Sequence, residues 1–314
     1  MVGKVTDNTK ASASLLPGIM GHSPWQTPNE TMASILSHRE GTADTWDGNE
    51  ATEWGNTLEP VIIDEMARRL KIKDYNREID YAIKHGTLEL ECSLDAEALG
   101  HNQIIRNDPE HGIYCMGADQ IALDGPGCLE SKVTSYRPED VPDLGRGPLQ
   151  LQGQMMCGNF QWGAIGILYQ GIALRIFLFV PHAGTVAAIS DAIIDLEKRM
   201  SKNPPRWYDI ESSADALLIY GEGDDETPKD MDPSFSKLAK EYLALKASIK
   251  EGEEAISAIN TKVQAEMGNH TIGSVDGYEF KWPMRQSKAQ PEKIIPAREA
   301  SSKRQSTITV KEKK

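Results

Sequence analysis

The feature that most limits how this chain can fold is its most apolar stretch, Gly163 to Val180, because that stretch is interrupted. Gln170-Gly171 breaks it midway and Arg175 sits in its second half, whereas a membrane span needs about 20 continuous apolar residues. It therefore reads as two strands, 161–169 and 172–180, joined by a turn. Segments 87–94, 112–123 and 129–134 have the same strand character. Helices surround them. Leu58, Ile62, Met66 and Leu70 recur at helical spacing, so Trp54 to Leu70 is a helix with Pro60 in its first turn. Leu149 to Cys157 and the amphipathic segment Ala183 to Met200 are two more. Near the amino terminus, a short helix within Ser12 to Gly21 leads through a Pro-containing loop to a helix starting near Asn29, with Thr27 as its cap. Strands alternating with helices predict an α/β fold, a mixed central sheet flanked by helices.

Length and charge set the organisation. The 314 residues allow one large domain, or one domain with an appendage. Gly221 to Pro228 is polar and acidic, so the expected divisions are a core over 1–220 and a linker over 221–232. A helical arm or coiled coil over 233–268 and a basic, partly disordered tail over 269–314 follow. In the arm, Leu238, Tyr242, Leu245, Ile249, Ile256, Ile259 and Val263 alternate spacings of four and three, with Gly252 standing where another apolar residue would fall. The formal charge of −13 argues against a protein that coats nucleic acid non-specifically. Residues 281–314 nevertheless carry net +7, which leaves −20 elsewhere.

Cys92, Cys115, Cys128 and Cys157 are too few and too irregularly spaced for a disulfide scaffold, and no Cys-x-x-Cys pair exists to hold zinc or an iron–sulfur cluster. Free thiols in a reducing cytoplasm are expected. The start of the chain lacks a long apolar stretch behind basic residues, so no secretory signal is expected.

The chemistry is concentrated in Asp119 to Lys132. Glu130 and Lys132, two apart on a strand, project from one face. Asp119, ending the preceding apolar segment, is expected to reach them across a hairpin turning at Gly125-Pro126-Gly127. Two carboxylates offer hard oxygen ligands to Mg²⁺, and an ammonium beside them can orient water or stabilise charge building on phosphorus oxygens. Asp124 competes with Asp119 for the acidic role. Upstream, Glu59 lies close to the apolar stripe of its helix, where a carboxylate needs a basic partner or a metal. Downstream, Gln150, Gln152 and Gln154 share a helix.

Taken in order, these segments resemble the lambda-exonuclease or YqaJ-like viral recombinase family, a branch of the PD-(D/E)xK nucleases. Ser14 and the loop Ser23-Pro24-Trp25-Gln26-Thr27-Pro28 are similar to the family's entry helix, and Trp54-Gly55-Asn56-Thr57-Leu58-Glu59 to its W-G-x-x-x-E segment. Gly117-Ala118-Asp119 stands for S-P-D-G, Leu129-Glu130-Ser131-Lys132 for L-E-x-K, and Gln152-Gly153-Gln154 for the Q-x-Q helix.

The resemblance implies a restriction-endonuclease-like core and Mg²⁺-dependent digestion of double-stranded DNA, with Mn²⁺ able to substitute. It implies 5′ to 3′ direction, free DNA ends as substrate, a single-strand annealing protein as partner, a homotrimer, and the cytoplasm of a bacterial host. Asp119 and Glu130 would ligate metal, with the Ser131 carbonyl as a further ligand and Glu59 supporting. Lys132 and Gln152 would position water, and Ser14 and Lys10 would meet DNA. Two departures weaken the expected grip on a 5′-phosphate: Gly117 stands where the family has a serine, and no arginine precedes Ser14. A structure-specific or restriction-like endonuclease, and a non-catalytic DNA-binding assembly protein on the same fold, remain as alternatives.

Overall fold

The computed structural model describes residues 6–43, 48–221 and 228–284. The chain divides into two compact units, residues 1–219 and 220–314. In the first lie strands β1 (Ala11–Ser12), β2 (Asp74–Asn76), β3 (Ile83–Lys84), β4 (Leu90–Cys92), β5 (Ala96–Arg106), β6 (Ile113–Cys115), β7 (Gln120–Thr134), β8 (Trp162–Tyr169) and β9 (Ala173–Phe179). Its helices are α1 (Leu16–Ile19), α2 (Pro28–Glu40), α3 (Glu50–Leu70), α4 (Pro148–Gly158), α5 (Ala183–Met200) and α6 (Ser213–Tyr220), the last of which ends at the division. The second unit holds α7 (Phe235–Met267) and the hairpin of β10 (Ile272–Val275) and β11 (Tyr278–Lys281).

Six strands form one mixed sheet in the order β2-β5-β7-β8-β9-β6, and β1-β4-β3 make a second, small sheet. Period-two alternation sends successive side chains to opposite faces. On one face Leu129, Trp162, Ala164, Ile176 and Leu178 pack with Ile62, Ile63, Met66 and Leu70 of α3. On the other, Cys128, Ile165, Ile167, Tyr169 and Phe177 pack with Leu149, Leu151 and Met155 of α4 and with Ile189, Ile193 and Leu196 of α5. The expected α/β architecture, a mixed sheet between helical layers followed by a carboxyl-terminal helix, is thus the one observed.

Local signals explain most boundaries. Thr27 Oγ1 accepts from the Glu30 amide at 3.1 Å while Glu30 Oε2 accepts from the Thr27 amide at 2.8 Å, a reciprocal cap that starts α2. Helix α3 begins earlier than its apolar spacing indicates, because Asn49 caps it through the Thr52 amide. Pro60 therefore lies inside the helix rather than in its first turn.

The largest difference from expectation lies at Gly125-Pro126-Gly127. No turn forms there: β7 runs uninterrupted through it and pairs antiparallel with β5, Ala96 facing Leu129 and Arg106 facing Gln120. Gly125 takes a left-handed φ of 67°, and Gly127 serves close approach, as does Gly100 on β5. A Cβ on Gly127 would stand 2.2 Å from the Trp162 ring, and one on Gly100 would stand 2.4 Å from the Leu123 backbone. Pro126 is tolerated because parallel pairing with β8 begins one residue later, at Gly127. Segment 112–123 is likewise not one strand: β6 leaves to pair with β9, and β7 begins afresh at Gln120.

Of the expected linker over 221–232, residues 222–227 lie outside the described residues, as does the tail from 285 onward.

Candidate active site

The β5–β7 register decides which acid meets Glu130. Since Ala96 faces Leu129, Asp95, just ahead of β5, arrives opposite Glu130 on the central strand. Its Oδ2 accepts hydrogen bonds from the Ser131 amide at 2.7 Å and the Ser131 hydroxyl at 2.9 Å. Glu130 is 2% exposed, and three donors hold it: Lys132 Nζ at 2.5 Å and Gln150 Nε2 at 2.7 Å on Oε1, and Gln154 Nε2 at 2.6 Å on Oε2. Gln154 also donates to the Ser93 carbonyl at 3.1 Å, which ties α4 to the segment between β4 and β5 that carries Asp95. Its own Oε1 is buried with no partner among the described residues.

Electrostatics couple four charged groups. Burial pushes the Asp95 carboxyl up to about 8; the Glu130 charge adds to that rise and Lys132 opposes it. Glu59, half-buried on α3, is also raised, by burial first and then by Glu130. Burial alone would lower Lys132, but Glu130 and Asp95 outweigh it and hold the ammonium charged. Three carboxylates thus share one cation, and a hard divalent ion would relieve their repulsion. Among the described residues no three His, Cys, Asp or Glu side chains form a complete metal cage. Mg²⁺ does not require one, since it binds through one or two carboxylates and keeps several waters. Asp95, Glu130 and the Ser131 carbonyl fit that donor set.

The residues singled out from the sequence fall into two groups. Glu59, Glu130, Ser131 and Lys132 come together. Asp119 does not join them. It sits at the far end of the β5–β7 pair, eleven residues from Glu130, which on an extended strand is about 35 Å. Asp124, facing His101, is also remote, at about 20 Å. Gln152 points away from the site: its Nε2 donates to the Val180 carbonyl at 3.0 Å and its Oε1 accepts from the His182 amide at 3.0 Å. Neighbours two apart on a helix lie about 200° around it, so Gln150 and Gln154, four apart, take the face that Gln152 leaves. Lys10 is paired with Glu89 at 3.0 Å on the surface.

Sequence reasoning missed Asp95, and among the three glutamines it noted on α4 it gave the site role to Gln152 rather than to Gln150 and Gln154. A signal for Asp95 existed: Ser93-Leu94-Asp95 keeps both the serine and the aspartate of the S-P-D-G pattern, where Gly117-Ala118-Asp119 keeps the aspartate alone. The α4 geometry gives a test. Gln154→Ala should slow turnover by about 10 to 100-fold through a misplaced Glu130 while melting near wild type. Gln152→Ala should instead cost about 1–3 kcal/mol of stability by leaving two backbone groups unpaired. Thermal melts and initial rates on one DNA substrate separate the two.

Two cavities flank the cluster. One, of about 530 Å³, is lined by Glu59, Tyr75, Asn76, Arg77 and Leu94. The other, of about 320 Å³, is bounded by Ser14, Trp25, Lys132, Arg146, Gln150 and Tyr169. In this second cavity Ser14 is exposed, while Arg146 Nε and Tyr169 Oη are buried with no side-chain hydrogen-bond partner among the described residues. Burial pushes the Tyr169 hydroxyl up to about 12, so it stays a neutral donor. The remaining guanidinium reaches Glu139 at 3.3 Å and lies over the Tyr136 ring at 3.8 Å. No arginine precedes Ser14 in sequence, but Arg146, from the segment before α4, lines the same cavity as Ser14.

No relative is found among proteins of curated function. Among solved structures, the chain is similar to an alkaline exonuclease (LHK-Exo) from Laribacter hongkongensis. The two are 17% identical over 61% of this chain and 88% of that one, with a TM-score of 0.43. The same enzyme in complex with dAMP gives 17%, 61%, 90% and 0.42. A phage related exonuclease from Haemophilus somnus 129PT gives 14%, 61%, 96% and 0.33. No helix among the described residues is long and apolar enough to cross a membrane. Residues 7–159 of this chain, a stretch that includes Glu59, Asp95, Glu130, Lys132, Gln150 and Gln154, match the model of the YqaJ-like viral recombinase domain family.

Proposed function

We propose that this chain is a metal-dependent deoxyribonuclease that degrades double-stranded DNA from a free end, 5′ to 3′, leaving single strands for an annealing partner. One observation carries the reading: Asp95 placed against Glu130 and Lys132 on the central strands. Asp95, Glu130 and the Ser131 carbonyl would hold Mg²⁺ or Mn²⁺, with Glu59 supporting. When bound, the ion supplies Lewis-acid stabilisation of charge on the phosphodiester oxygens. Gln150 and Gln154 fix the Glu130 carboxylate in one rotamer. Lys132 presents a permanent ammonium where the attacking water and the pentacoordinate phosphorus must sit, so its contribution grows as negative charge develops.

The experiment that tests this uses linear and circular duplexes of one sequence, with and without Mg²⁺. Linear DNA should be consumed only with the metal, and covalently closed circles should survive. Cutting of circles would replace the exonuclease with the endonuclease reading. Loss of neither substrate would leave the fold as a DNA-binding scaffold.

End recognition follows from the second cavity. A terminal phosphate there would meet Arg146 Nε, the Tyr169 and Ser14 hydroxyls and Lys132, with charge-assisted bonds from the two cations. Preference for 5′-phosphorylated over 5′-hydroxyl duplexes should therefore be substantial despite Gly117. Arg146→Ala should reduce that preference by about tenfold or more, since a hydrogen bond between charged groups contributes about 1.5–3 kcal/mol. Equal rates on the two ends for the unaltered protein would remove the phosphate from this cavity.

A further inference from the structure

Helix α7 carries an apolar stripe that its own unit does not cover. Leu238, Leu245, Ile249, Ile256 and Ile259 are each 55–60% exposed on a 33-residue helix. With Tyr242, Gly252 and Val263 they fill consecutive core positions of a seven-residue repeat. One column reads Tyr242, Ile249, Ile256, Val263 and the other Leu238, Leu245, Gly252, Ile259.

Two asymmetries along the helix select the occupant and its direction. Residues 235–250 carry Lys237, Lys240, Lys246 and Lys250 against Glu241, a net of +3, and residues 251–267 carry Glu251, Glu253, Glu254 and Glu266 against Lys262, a net of −3. Each half has the sign that opposes the helix dipole, so the charges do not favour α7 standing alone. They are offset when the basic half of one helix lies along the acidic half of another, which is what an antiparallel pair achieves and a parallel pair forbids. The second asymmetry is Gly252. Aligned antiparallel over its full length, the stripe from 238 to 263 sets Leu238 across from Val263, Leu245 from Ile256 and Ile249 from Gly252, so the missing side chain faces a large one. A parallel pair would face Gly252 with Gly252 and leave a void.

We infer that α7 is a dimerisation arm that pairs antiparallel with α7 of a second copy of this chain, a two-fold interface in which each surface is its own complement. This inference is independent of the nuclease reading, and its test reads mass and cross-links rather than DNA cleavage.

The full chain should sediment as two copies at micromolar concentration. Ile249→Glu combined with Ile256→Glu should convert it to one copy without loss of helical content, because both side chains are already exposed. A wild-type mass of one or of three chains overturns the proposal. Orientation is read by mild oxidation, with the wild-type chain as control for its native thiols. Leu245→Cys combined with Ile256→Cys should form inter-chain disulfides, whereas Leu245→Cys alone should not, its counterpart lying about eleven residues, or ~16 Å, along the axis. Cross-linking by the single variant would indicate a parallel pair and overturn the proposal. Raising salt from 50 to 500 mM should weaken the dimer several-fold, and indifference to salt would remove the charge argument on which the orientation rests.

Discussion

Asp95→Ala should abolish the proposed hydrolysis, by about a thousandfold or more, while Asp119→Ala and Asp124→Ala should stay within about twofold of wild type. The reason is positional. Asp95 stands opposite Glu130, where its second oxygen can complete a divalent site with the Ser131 carbonyl, and a loss of a thousandfold corresponds to only about 4 kcal/mol of transition-state stabilisation. Asp119 and Asp124 lie remote from Glu130 along β7 and can share no ion with it. Single-turnover rates on a linear duplex at saturating Mg²⁺ measure all three. An inactive Asp119→Ala beside an active Asp95→Ala would place the metal elsewhere and require a different register of β5 on β7.

The same carboxylates should make the metal-free protein lose stability as pH rises. Asp95 ordinarily titrates near 3.8, and in the fold its carboxyl is held at about 8 by burial and by Glu130. Between those values the folded protein keeps a proton that the unfolded chain has released, so stability is fully present below pH 4, falls through the window from about 4 to 8, and levels off above it. Glu59, also raised, acts in the same sense. Asp95→Asn keeps the shape and removes the titration. Without metal, it should melt like wild type near pH 4.5 and exceed it by a few kcal/mol at pH 8. Mg²⁺ should raise the wild-type melting temperature at pH 8 and leave Asp95→Asn nearly unmoved. Parallel pH profiles for the two proteins would show that Asp95 carries no such burden.

How far the sequence revealed this site depended on whether a signal was local. Helical periodicity located α3, the strand pair 161–169 and 172–180 was visible from Gln170-Gly171, and Thr27 announced α2, because each depends on residues within one or two turns. Glu130 and Lys132 were legible for the same reason, their shared face following from a spacing of two. Asp95 was not, since its approach to Glu130 comes from strand pairing across some thirty residues of chain, and Gly125-Pro126-Gly127 imitated a hairpin that would have brought Asp119 there. Glycine has two uses, reversal and close approach, and only the Trp162 ring against Gly127 shows which applies. The glutamines of α4 posed a narrower problem. Helical phase predicts that 150 and 154 share a face and 152 does not, but which face meets the sheet is set by Leu149, Leu151 and Met155 packing on the core.

The borders of the six-stranded sheet carry a further consequence, for behaviour at high concentration. At each margin sits a strand of three residues, β2 at one side and β6 at the other. By pairing with Ile176, Phe177 and Leu178, β6 covers the middle of β9, which would otherwise present seven residues of open amides and carbonyls beside the core. Short margins offer little template for another chain to add itself as a strand, the usual opening step of sheet aggregation. The detour by which residues 107–119 leave β5, lay β6 against β9 and return as β7 thus acts as a guard against self-templating. Shortening that detour should produce a protein that folds in dilute solution and precipitates when concentrated.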